Sequence, residues 1–161
     1  MKKKKIEEMV HDENLGMTLI VKTVARMMIA MILLFGFYII IYGHLTPGGG
    51  FAGGVILAIA YTLMMLAFSR KLALKKLNNF WASIWDNLGM LAFIVLGFIG
   101  LNFGYFMFNF IWHGTPFHLV SAGFIPLANI AIGVKVGAAL YAIFIGLSIY
   151  GRIITTEEET K

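Results

Sequence analysis

The sequence predicts an all-α integral membrane protein, a bundle of four transmembrane helices with both termini in the cytoplasm. Three observations carry this. The 161 residues are 60% hydrophobic, with a mean hydropathy of +0.85, far above a soluble domain. The apolar residues gather into four runs of roughly bilayer-spanning length, about twenty residues each. Nearly all the basic residues flank those runs: they crowd at the start, between 70 and 76, and at Arg152, while 44–53 and 112–125 carry none. Positive-inside counting then puts both ends and the 70–76 connection in the cytoplasm.

The same placement of charge explains the net +5 without nucleic acid, which is excluded as a partner. The chain has no cysteine, so no disulfide or thiolate metal site is possible. The basic start is expected to remain, since the apolar run begins too late for a signal peptide and no small-residue cleavage site follows.

Residues 1–18 read as a cytoplasmic segment, 19–152 as the membrane domain and 153–161 as a solvated cytoplasmic tail. The first span is expected at about 23–43, with Lys22 and Arg26 snorkelling at its start. His44-Leu-Thr-Pro-Gly-Gly-Gly-Phe-Ala-Gly-Gly54 follows as a turn. Pro47 fixes its entry, and Gly48, Gly49, Gly50, Phe51, Gly53 and Gly54 build a turn packed backbone against backbone. The second span is expected at about 54–69, running on toward 76. Phe80-Trp-Ala-Ser-Ile-Trp85 reads as an aromatic belt, and Asp86 or Asn87 as the cap of a third span at about 88–111. The fourth is expected at about 126–150, ended by Arg152. His44-Leu-Thr-Pro47 and His113-Gly-Thr-Pro116 share a pattern, which suggests a parallel repeat of two hairpins.

Lys135 is the sharpest candidate for chemistry. A lysine inside a span is costly and marks a functional site by default. Its helical neighbours include Ala128, Ala131, Ala138 and Ala142, a packing face, while Gly133 and Gly137 make a second one. Two small faces on one helix imply partner subunits. The competing reading is a lysine that only bonds carbonyls at an interface. Asn102, Tyr105, Asn109 and His113 fall at helical spacing in the expected third span, either lining a hydrated path or acting as interhelical glue. His44, His113 and His118 lie on the outer side and either relay protons or shape turns. No metal site and no cofactor are expected. With Asp86 placed at the cytoplasmic edge, the spans hold no carboxylate. Any counter-charge for Lys135 is then expected from another chain, with Asn102 and Tyr61 as in-chain polar partners; otherwise the lysine is uncharged.

The turn at 43–54 resembles the hallmark of the MnhB-like family, small membrane subunits of the Mrp-type multisubunit sodium/proton antiporters. Asn129-Ile-Ala-Ile-Gly-Val-Lys-Val-Gly-Ala138 resembles a second motif of that family, with Ala131 where glycine is usual. The resemblance implies an accessory, non-catalytic, multi-pass subunit of the cell membrane, beside other Mrp-type subunits in a module that moves sodium ions and protons. It equally fits the related modules of archaeal ferredoxin-linked hydrogenases and sulfane reductases. Lys135, Asn102, His44 and His113 are then the candidates for an ion path or proton relay. The alternative is a structural subunit that packs and seals the module.

Overall fold

The computed structural model describes residues 17–68, 79–111, 114–119 and 121–159. Among them are four helices in chain order: α1 (Leu19–Ile41), α2 (Gly50–Phe68), α3 (Asn79–Leu101) and α4 (Ile125–Glu159). Each is long and apolar enough to cross a membrane, α4 over Ile125–Ser148. The buried positions are mostly small, among them Ala25, Ala58, Ala60, Ala82, Ala128, Ala131 and Ala138. Large side chains such as Leu19, Leu34, Phe51, Phe80 and Leu147 point outward. Small inside and large outside is how helices pack in lipid, where close backbone approach replaces hydrophobic collapse.

The helices form a row rather than a closed square. α1 packs on α2, α2 on α4, and α4 on α3, with a lesser contact from α1 to α4. α4 is therefore the central helix. Met65 of α2, Ala82 of α3 and Tyr141 and Ile145 of α4 form a buried cluster, against which Tyr61 packs with its ring 5.5 Å from that of Tyr141.

Several boundaries differ from expectation. α2 begins at Gly50, so Gly50, Phe51, Gly53 and Gly54 are helical and not part of the turn. Positive φ is confined to Gly48 (+150°) and Gly49 (+110°) in this stretch. The later glycines serve close approach instead. A Cβ on Gly54 would stand 2.7 Å from the Gly133 carbonyl oxygen, and one on Gly50 would strike that of Asn129.

α3 begins nine residues before the expected start and ends ten before the expected end. Phe80, Trp81 and Trp85 lie on the helix itself, and Asn87 donates to the Ser83 carbonyl at 2.9 Å within it. Neither Asp86 nor Asn87 is a cap. α3 stops because 3₁₀-type bonds take over at Asn102, Phe103 and Gly104, the last at φ +121°. The chain then folds back on the helix end: Phe106 and Met107 cover Gly97, and Met107 N–H reaches the Gly97 carbonyl at 3.4 Å. α4 continues through Arg152 to Glu159, since no glycine or proline follows Gly151 to end it. The 70–76 connection lies outside the described residues.

Candidate functional site

Two oppositely charged side chains face each other from α3 and α4 within the spans. Asp86 is seven residues into α3, about 10 Å from its start, and Lys135 is ten residues into α4, about 15 Å from its start. The helices run antiparallel, and Gly89 lets them close up at this level. A Cβ there would sit 2.8 Å from the Ala131 carbonyl oxygen and 2.9 Å from the Lys135 Cβ. The Lys135 ammonium lies 3.3 Å from Asp86 Oδ1. The expectation that its counter-charge belongs to another chain is thus corrected: a carboxylate within this chain supplies it. Asp86 looks like a boundary marker only when α3 is placed nine residues too late.

The pair is incompletely enclosed, with the Lys135 side chain 39% exposed and that of Asp86 33%. Oδ1 itself is shielded and receives no well-aligned hydrogen bond, so the exposure of Asp86 falls on its other atoms. Beside the pair an apolar groove of about 390 Å³ runs between α3 and α4, past Trp85, Gly89, Ala92, Ala131 and Val134.

The remaining candidates lie elsewhere. Asn102 is exposed at the end of α3, away from any contact with Lys135, and Tyr61 faces Tyr141. Tyr105 is 75% exposed, so the expected stripe through Asn102, Tyr105 and Asn109 does not form. Asn109 instead anchors the loop to α4: its Oδ1 accepts from Phe124 N–H at 3.1 Å, and its Nδ2 donates to the Ala122 carbonyl at 3.4 Å. His113 lies outside the described residues. His44 is half-buried, its Nε2 3.5 Å from the His118 carbonyl oxygen, a contact it makes as donor when that nitrogen carries the proton. Among the described residues no three of His, Asp and Glu come together as metal ligands would.

The glycine turn docks on α4. Pro47 and Gly48 are exposed, whereas Gly49, Gly50, Gly53 and Gly54 are buried. Asn129 Oδ1 accepts the Gly50 N–H at 3.3 Å, which satisfies one of the free donors at the start of α2. Asn129 and the turn belong to the two motifs singled out in the sequence, and here they touch. Sequence reading gives Asn129 no role of its own, because its partner lies 79 residues away.

Residues 20–142 match a family described as a domain related to the MnhB subunit of Na+/H+ antiporter. An uncharacterized protein of Methanocaldococcus jannaschii is 36% identical over 130 residues, 76% of this chain and 49% of that protein. A putative antiporter subunit mnhB2 of Staphylococcus saprophyticus is 46% identical over 52 residues, 32% of this chain and 37% of that subunit. The chain thus spans about half the length of the methanogen protein and less of the staphylococcal subunit. Among solved structures, a chain of the membrane-bound sulfane sulfur reductase, an archaeal respiratory membrane complex, is similar at a TM-score of 0.70 and 37% identity. That match covers 81% of this chain and 58% of that one.

Proposed function

This chain belongs to the family of domains related to the MnhB subunit of Na+/H+ antiporters, and on that premise we propose that it is an accessory subunit of a cation-translocating membrane module. In this reading Lys135 and Asp86 stand in or beside the ion path. The module is a stand-alone sodium/proton antiporter or part of a redox-linked complex such as the sulfane reductase to which the chain is similar. Both termini face the cytoplasm, other subunits of the module cover the open faces of the row in the bilayer, and catalysis lies on other chains.

The observation that carries the proposal is the Lys135–Asp86 contact of 3.3 Å, well inside two spanning helices. Ionisable groups at that depth are expensive and are retained where ions or protons pass. The test is sodium- or proton-coupled transport in vesicles bearing the whole complex, with assembly followed in parallel. Lys135→Ala should assemble and lose at least about tenfold in transport rate, about 1.4 kcal/mol of barrier. Lys135→Arg should also be impaired, because a broad planar guanidinium does not replace a compact ammonium on a flexible stem. Full transport by an assembled alanine variant would remove Lys135 from the path.

A structural role is the second reading, favoured by Asn109 and Asn129. Both spend their hydrogen bonds on holding segments together. An assembled, fully active Lys135→Ala complex is what that reading expects.

A further inference from the structure

Resting on the ion-path reading above, we infer that the Asp86 carboxylate is an exchangeable site for a small monovalent cation. The Lys135 ammonium occupies it in this structure, and a proton or a sodium ion takes its place in turn. Asp86 is the only acidic residue in the described spanning segments, and Lys135 the only basic one on α2, α3 or the spanning part of α4. The other ionisable side chains on those elements are the phenols of Tyr61 and Tyr141. A carboxylate at this depth needs a positive partner at all times. Something must therefore sit on Asp86 whenever the lysine does not.

The contact has the features of a replaceable one. At 3.3 Å without an aligned hydrogen bond, it is longer than the tight charge-assisted bonds of about 2.7–2.9 Å. The lysine hangs on a flexible four-carbon stem and can leave without backbone movement. A third of the Asp86 side chain is left open by this chain, on atoms other than the shielded Oδ1. The exchange is one for one: the carboxylate keeps a single positive partner. The displaced ammonium keeps its charge, and no covalent bond changes.

The test uses dicyclohexylcarbodiimide, an apolar reagent that modifies protonated carboxyl groups from within the bilayer. Membranes carrying the whole complex are labelled, and the adduct at Asp86 is quantified by peptide mass spectrometry, with Asp86→Asn as the blank. In the wild type the lysine holds the site and labelling is slow. In Lys135→Met, which keeps the stem and loses the charge, labelling should be at least fivefold faster; Lys135→Ala serves if the methionine variant does not assemble. Slowing by millimolar sodium, with choline as control, identifies sodium as the exchanging ion. Labelling indifferent to sodium identifies the proton. No acceleration in an assembled lysine variant, at any sodium concentration, would overturn the inference. Transport lost with labelling unchanged sinks the exchange site and leaves the ion-path reading. Labelling accelerated with transport intact does the reverse.

Discussion

α4 shows two different faces to its two neighbours. Toward α2 it presents Asn129, Gly133, Val136 and Gly137, which meet Gly50 and Gly54 so closely that a Cβ on either α2 glycine would strike α4. Toward α3 it presents Ala131 and Lys135, which close on Gly89 at one level and then leave a groove and an incompletely enclosed ion pair. The first face is fitted shape to shape, and the Gly50–Asn129 hydrogen bond crosses it. The second holds charge with room beside it. One helix thus combines a sealed contact, suited to fixing its position, with a looser one suited to a changing occupant.

The sealed face should be the easier to break. Gly54→Val places a branched side chain against the Gly133 carbonyl oxygen and the Val136 Cβ, the latter 2.8 Å from where the new Cβ would sit. The expected cost is about 3 kcal/mol, and blue-native electrophoresis should show no assembled complex. Asn129→Ala should do less. It strands the Gly50 N–H at the start of α2, a loss of roughly 1–2 kcal/mol, read as a lowered thermal midpoint of the solubilised complex with transport retained. Gly146→Ala should do least. Nothing lies within 4 Å of its added Cβ, and helix propensity favours alanine by up to about 1 kcal/mol, so the midpoint should hold or rise slightly. A broken complex there would reveal a third close face on α4.

How far the two faces are legible in the sequence differs in the same way. Four spans and the depth of Lys135 follow from hydropathy, which is a local property. The glycines of 48–54 announce close packing, but not that Gly50 onward is helical, because glycine permits both a turn and a helix contact. Asp86 is easily misread because one charge after an aromatic run looks like a boundary, although Phe80–Leu101 forms a 22-residue span around it. The end of α3 is hidden for the opposite reason. Phe103, Phe106, Phe108 and Phe110 keep the hydropathy high past Leu101, and the fold-back is fixed by tertiary contacts with Gly97 and Gly100. The shared His-x-Thr-Pro pattern likewise does not reveal that its two copies lie in connections of very different length, 42–49 and 102–124.

The claim on which the looser face depends is that Asp86 and Lys135 are partners within one chain. A double-mutant cycle on the assembled complex tests it most directly, comparing the thermal midpoints of Asp86→Leu, Lys135→Met and the two together. Asp86→Leu alone strands a lysine inside the bilayer and should cost about 2 kcal/mol, trimmed from the fully buried case by the partial exposure of the pair. Partnership predicts that adding Lys135→Met recovers most of that loss, a coupling of at least about 1 kcal/mol. Losses that simply add, with the double variant the weakest of the three, would contradict it.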